Sequence, residues 1–449
     1  MSGEAEPPVR GWKTWPRNVR LFLLFRVFFN ARYYYPVFAL LFLDLGLSLG
    51  QFAMVNAIWA VTIVTLEVPS GALADLLGRR KLLRIAAALM VVEMLCLLLP
   101  RFQPDLLLLA ICINRACSGA AEAMASGSDE ALAYDSLPPE RQSEWSTVLE
   151  VQMRAMNGAM MVAMLVGAAS YDPAIWARWL PEATAQGVAA VAPIVLTFLH
   201  ALVVVGAVAM MEEAPLESHL SRREAIGAAY RQTAETVRWL LGQPRVRVVI
   251  LAAVLFDHLA RQGLVVSSDY LNAIGISKAY LGPLGALSAL LSSLFAAPLA
   301  RAAQRWKPST LYWVLYLALM VVSFGLAYPT PYWSAVWILA LGQVAGAVGY
   351  LTSLYLNQLV DSKRRATLLS VKGLAINIGY GWISVAYGLW VGRTDGQGGQ
   401  PAPVIGAFAA YLPYLTVLTL LLAVVARRSP GISGSEGGYA KPEPSSKET

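Results

Sequence analysis

Six cationic side chains fall inside long apolar runs of the 449-residue chain: Arg26, Arg32, Arg115, Arg154, Arg261 and Lys372. Glu122, Asp129 and Asp257 stand in the same kind of run. An ionisable group in hydrocarbon is costly, so it faces a cavity or a partner. Arg115, Gly119, Glu122, Ser126 and Asp129 recur at steps of four and three, a spacing that puts them on one helix face. A stripe holding a cation and two carboxylates lines a cavity or packs on charged neighbours. Asp257 and Arg261 stand one helical turn apart and can pair, and His258 between them titrates near neutral pH. Burial and a nearby arginine pull on a carboxylate's proton in opposite directions, which makes these acids candidate proton carriers. The alternative for Asp257 is a static pair that staples span 7 to span 1.

Arg26, Asn30 and Tyr33 share a face of the first run, with Tyr34 beside them. Arg26 either binds an anionic group of a solute or neutralises Glu122 or Asp129. The run Tyr33-Tyr34-Tyr35-Pro36 supplies aromatic surface, for binding or for packing, and a helix kink. Arg154 and Asn157, and Lys372 and Asn377, are further cavity candidates. Glu93 and His200 read as lone polar groups with a local packing role, and Glu67, next to Pro69, as structural. Cys96, Cys112 and Cys117 all lie in apolar runs and read as small hydrophobes at helix interfaces.

The elements that position these groups follow from composition. Hydrophobic residues make up 57% of the chain and charged residues 14%, against roughly 25% charged in a soluble domain. That deficit excludes a cytosolic globular enzyme and a disordered chain. The net charge of +7 is spread along the whole sequence, which argues against nucleic-acid binding. A spanning helix needs about 20 mostly apolar residues. Twelve such runs lie near 19–43, 48–71, 81–100, 104–133, 145–170, 186–211, 246–270, 279–303, 308–328, 332–358, 366–392 and 402–426. Only helices satisfy the backbone in lipid over such lengths, so the expected fold is an all-α membrane protein with 12 transmembrane helices. With the N-terminus inside, 25 Lys and Arg fall in cytoplasmic segments and four in outer loops. That asymmetry puts both termini in the cytoplasm of a multi-pass protein of the inner cell membrane.

The longest inner loop, 212–245, divides the spans six and six. The expected organisation is a cytoplasmic N-terminus (1–18), a six-helix bundle (19–211), a linker (212–245), a second six-helix bundle (246–427) and a disordered Gly/Pro/Ser-rich tail (428–449). The halves match at an offset of 226 residues: Leu73-Ala74-Asp75 with Arg79 maps onto Leu299-Ala300-Arg301 with Arg305, and Asp135-Ser136 onto Asp361-Ser362. Parallel six-span repeats build transporters whose site lies at the repeat interface.

Between runs two and three the chain reads Glu67-Val-Pro-Ser-Gly-Ala-Leu-Ala-Asp-Leu-Leu-Gly-Arg-Arg-Lys81. Gly71, Leu73, Ala74, Asp75, Gly78, Arg79 and Arg80 make this segment resemble the signature loop of the major facilitator superfamily, G-x-L-A-D-x-x-G-R-[RK], at the family's position after span 2. The opening of span 11, Arg365-Ala-Thr-Leu-Leu-Ser370, is similar to a sequence common in bacterial members. Gly71 and Gly78 permit a tight turn and close helix approach. Asp75 suits the positive N-terminal end of a neighbouring helix, which the resemblance makes span 11 near Ala366. Arg79 can reach Asp135. These contacts would latch the halves while the cavity opens outward and break when it opens inward. Arg301 stands where the first half has Asp75, so the latch is one-sided. The resemblance also makes Arg115 the counterpart of the span-4 arginine associated with proton transfer.

No P-loop, H-E-x-x-H, G-x-S-x-G or Cys/His metal spacing occurs, so no ATP site, metal, cofactor or enzymatic activity is expected. The resulting expectation is a monomeric, proton-coupled secondary transporter of a small organic solute, with the solute, protons and the bilayer as partners. Two rivals are a multidrug or metabolite efflux antiporter, weakened because span 5 has no Gly-Pro element, and a non-transporting membrane sensor or scaffold.

Overall fold

The computed structural model describes residues 14–213, 221–359, 362–394 and 403–427. The 428–449 tail and Asp361 of the Asp361-Ser362 repeat match lie outside the described residues, as do the side chains of Asp75 and of 362–370. The described residues form α-helices and short 3-10 turns and no strand. In chain order the helices are α1 (Arg17–Asn30), α2 (Phe38–Asp44), α3 (Leu49–Leu77), α4 (Arg79–Leu98), α5 (Leu107–Ala125), α6 (Ser128–Asp135), α7 (Trp145–Ser170), α8 (Pro173–Trp176) and α9 (Glu182–Met210). They continue as α10 (Arg222–Leu241), α11 (Pro244–Val265), α12 (Ser267–Ala273), α13 (Leu281–Arg305), α14 (Pro308–Ala327), α15 (Ala335–Leu359), α16 (Ser362–Thr394) and α17 (Pro403–Arg427).

Among the described residues, ten helical segments are long and apolar enough to cross a membrane. The other two apolar runs are also helical. Run 19–43 is interrupted between Asn30 and Phe38, where the three tyrosines and Pro36 sit. Run 145–170 is α7, an unbroken helix that carries the charged pair Glu150 and Arg154.

Local sequence explains the helix ends. Ser48 and Gln51 close a capping box at the start of α3, and Ser221 and Glu224 do so for α10. Pro173, Pro244 and Pro308 open α8, α11 and α14, where a missing N–H costs nothing. The first run of each half ends alike. Gly46 (φ +114°) and Gly275 (φ +86°) take conformations that favour glycine. The next amide bonds back to the last turn, Leu47 to the Phe42 carbonyl at 3.2 Å and Ile276 to the Leu271 carbonyl at 2.9 Å. The pattern Gly-apolar-Ser at 46–48 and 275–277 is thus a further echo between the halves, one the 226-residue offset does not register.

Helices α1 to α9 pack chiefly among themselves, and so do α11 to α17. The two groups meet where α3 runs along α16, where α7 crosses α13 and where α2 touches α12, while α10 leans on α3, α11 and α16. At the end remote from Gly78 the backbones nearly touch. A Cβ on Gly50 would stand 3.1 Å from the Gly388 carbonyl, and one on Gly282 2.5 Å from the Met164 carbonyl.

Two expectations are corrected here. Span 4 is not one helix: α5 ends at Ala125, Gly127 turns with φ +74°, and α6 begins at Ser128. The stripe from Arg115 therefore ends near Glu122, and Asp129 belongs to the first turn of a separate helix. Gly71 makes neither a turn nor a close approach. It lies inside α3, and a Cβ there would meet nothing within 4 Å, so the turn falls at Gly78 (φ +94°) alone.

Candidate functional site

In the first group Glu93 on α4 is fully buried. Arg32, in the break between α1 and α2, donates to its Oε1, as does the Tyr34 hydroxyl at 3.0 Å. Arg115 of α5 approaches the same oxygen at 3.4 Å and stands over the rings of Phe38 and Phe42, 5.2 and 5.1 Å from their centroids. Asn114 bridges the set, taking a bond from Arg115 Nε at 2.8 Å and donating to the Glu93 carbonyl at 2.7 Å. One carboxylate therefore holds two guanidiniums by charge-assisted bonds. Glu93 is a hub and not a lone polar group. Its partners come from other segments, so helical spacing within its own run carried no signal of them. Tyr34 is buried and engaged with this hub, which removes it from the solute-facing set.

Arg26 is also spoken for. Its Nε stands 2.7 Å from Asp129 and its Nη2 2.6 Å from Glu130, so of the two readings neutralisation is the one realised. Asn30 donates to the Arg26 carbonyl of its own helix at 2.8 Å. Tyr33 lies beyond the end of α1 and shares no face with them. Its amide donates to Thr197 at 3.1 Å and its ring packs on His200, 4.7 Å between centroids. Glu122 is half-buried on α5, within Coulombic range of Glu67. Glu67 in turn faces α16, its Oε1 3.6 Å from where a Cβ on Gly373 would be.

In the second group Asp257 and Arg261 pair at 2.9 Å along α11. Arg261 also donates to Asn377 of α16 at 3.2 Å and lies 5.5 Å from the Tyr380 ring centroid. The pair thus connects spans 7 and 11, not spans 7 and 1. Tyr380 packs edge-on against Trp59 of α3, which sets this cluster beside the seam between the groups. Arg261 keeps 32% of its side-chain surface exposed and Asp257 16%. His258 points elsewhere: it is buried, with Nδ1 2.6 Å from the Val254 carbonyl and Nε2 3.1 Å from the Tyr414 hydroxyl. It packs α11 against α17. Lys372 donates to Ser353 at 3.3 Å. Arg154 is exposed and pairs with Glu150 of its own helix, and Asn157 is exposed one turn further on.

At the signature loop, Arg79 donates to Asp135. Glu213 accepts from the amides of Arg79 and Arg80 at 2.9 and 3.0 Å, an anion capping the N-terminus of α4. Arg80 Nη2 donates to the Ala209 carbonyl at 2.9 Å. The side chains of Asp75 and of the first residues of α16, where its expected neighbour lies, are outside the described ones.

The chain belongs to the major facilitator superfamily, whose family model matches residues 21–432. It is accordingly a multi-pass membrane protein of a transporter family. No curated protein matches it. Among solved structures it is similar to the nucleoside transporter NupG, at 13% identity and TM-score 0.67 over 91% of this chain and 98% of that one. A D-xylose-proton symporter is similar at 14% identity and TM-score 0.62, over 93% and 97%. A POT family transporter in complex with 5-aminolevulinic acid is similar at 14% identity and TM-score 0.63, over 95% and 99%. At such identities the likeness concerns the fold.

Proposed function

We propose that the chain is a twelve-span, proton-coupled secondary transporter of a small organic solute, with both termini in the cytoplasm of the cell that carries it in its inner membrane. Two six-helix bundles, 19–211 and 246–427, rock about a central cavity and expose it to each side in turn. The Asp257–Arg261–Asn377 cluster carries this reading. It is partly exposed and beside the seam, so a solute bound there touches both groups through Tyr380 and Trp59. An anionic or zwitterionic solute competes with Asp257 for Arg261, and the freed carboxylate takes the proton. Glu122 and Asp129, on the facing group, are further proton-coupling candidates, with Arg115 anchored behind them on Glu93. Arg154, Asn157 and Lys372 remain candidate lining residues, and the solute's carriers in the first group are Asn30 and Tyr33.

The reading is tested by screening metabolite pools for a compound that raises the thermal stability of the purified protein, since a ligand that binds only the folded state stabilises it. At a concentration 100 times its Kd such a compound contributes about 2.7 kcal/mol. The stabilising compound is expected to enter proteoliposomes holding the protein, and Arg261→Ala is expected to abolish the thermal shift. A compound that stabilises the wild type and Arg261→Ala equally would put the binding site elsewhere.

A further inference from the structure

The face that α16 turns toward α11 is polar along much of its length. Asn377, Tyr380, Ser384 and Tyr387 recur at steps of three and four, which puts them on one side of the helix. Two of them are tied to α11. Asn377 accepts from Arg261 at 3.2 Å, and Ser384 donates to Gln262 Oε1 at 3.1 Å. Beyond Ser384 the polar atoms are orphaned. The hydroxyls of Tyr387 and of Tyr411 on α17, and Nε2 of Gln262, have no hydrogen-bond partner among the described residues. Yet these residues are only 3%, 7% and 1% exposed. Turning the Gln262 amide over moves the deficit to its oxygen and does not remove it. A buried polar group without a partner costs its full desolvation, so three in one region call for something that donates and accepts.

The orphaned atoms belong to a series. Asp269 of α12 lies within Coulombic range of Tyr387, Tyr387 of Tyr411, and Tyr411 of Tyr380. The Tyr380 ring is 5.5 Å from the Arg261 guanidinium, which pairs with Asp257. Tyr414, beside Tyr411, is committed to His258. At the end remote from Gly78, half-buried Asp269 is near Asp44, which accepts from Lys278 and from the Tyr171 hydroxyl. Polar groups that face each other beyond hydrogen-bond distance are joined by water.

We propose that bound waters bridge Tyr387, Tyr411 and Gln262, and that this chain carries protons between Asp269 and Asp257 through the interior of the second group. The proposal rests on the proton-coupled reading above. Water supplies what the orphaned atoms lack, since a buried molecule bonds to several polar groups at once. Each hydroxyl and each water takes up one proton and releases another. A proton gained at Asp269 therefore appears at Asp257 with nothing consumed between. Arg261 touches both the Tyr380 ring and Asp257, so its positive charge opposes an arriving proton at the inner end of the chain. A solute that draws the guanidinium away lowers that barrier, which makes proton passage depend on bound solute.

Radiolytic hydroxylation of the detergent-purified full chain, read by mass spectrometry, detects the water without reference to solute. A short X-ray pulse makes hydroxyl radicals from bound as well as bulk water, and these oxidise the nearest ring. Tyr387 and Tyr411 are expected to be oxidised about three- to tenfold faster than Tyr270, which is also buried but donates to the Leu326 carbonyl at 3.0 Å. Gln262→Leu, with an apolar side chain of similar size, is expected to slow both and leave Tyr270 unchanged. Equal rates at the three tyrosines of the wild type overturn the proposal. In proteoliposomes, Y387F/Y411F is expected to slow the solute-driven pH change severalfold while the thermal shift given by the solute stays as in wild type. A pH change as fast as that of wild type overturns the relay. Fast oxidation of Tyr387 and Tyr411 in a protein whose internal pH never responds to solute upholds the water chain and removes the proton-coupled reading instead.

Discussion

Glu93→Ala is expected to destabilise the folded protein by about 3–5 kcal/mol, the range for removing one partner of a buried ion pair. The size of the effect follows from what remains. Arg32 and Arg115 are 3% and 4% exposed, and both depend on the same carboxylate oxygen. With Glu93 gone, two guanidiniums stay in a low-dielectric interior without a counter-ion, and the Tyr34 hydroxyl loses its acceptor. Glu93→Gln keeps an acceptor for Tyr34 but not the charge, so it is expected to fall between wild type and alanine. Thermal unfolding of detergent-purified variants checks the order. Equal stability of Glu93→Ala and wild type would mean that the cluster is hydrated and is not the structural hub described.

The second large effect is on transport rather than stability. Arg79→Ala is expected to abolish uptake while the protein still reaches the membrane and unfolds within about 1 kcal/mol of wild type, because a partly exposed pair contributes at most that much. Arg79 and Asp135 keep 28% and 59% of their side-chain surfaces exposed, so their bond is weak as a static contact. The expected loss of uptake rests on the proposal that this bond differs between the two orientations of the cavity, an equilibrium that small differential contacts control. Asp75→Asn is expected to have the same outcome. Full uptake by both variants, measured in vesicles at matched protein levels, would reduce the signature loop to an orienting role for spans 2 and 3.

The all-helical fold and the family were legible because their signals are local: apolar runs, charged punctuation and one contiguous loop. The charged groups themselves were also legible, since any ionisable residue in such a run stands out. Their pairing was not. Glu93 is 61 residues from Arg32 and 22 from Arg115, and nothing in a single sequence says which helices face each other. The span-4 stripe was misread because a step of seven residues assumes an unbroken helix, and Gly127 turns the chain instead. Tyr34 and His258 were chosen for chemical type, yet each satisfies its polar atom against a neighbour in the core. The Asp257–Arg261 pair was read correctly because both partners lie on one helix, where spacing does determine proximity. The contacts of Asp44 with Tyr171 and Lys278 were not legible, since they join segments that only the folded chain brings together.

The central claim is that solute movement and proton movement are coupled through Asp257. Its most direct test is the change in internal pH on adding the identified solute to proteoliposomes that hold either wild type or Asp257→Asn. The account predicts a solute-driven pH change with wild type and its loss with Asp257→Asn, while the variant still binds the solute through Arg261. Proton movement of the same size in both proteins would contradict it.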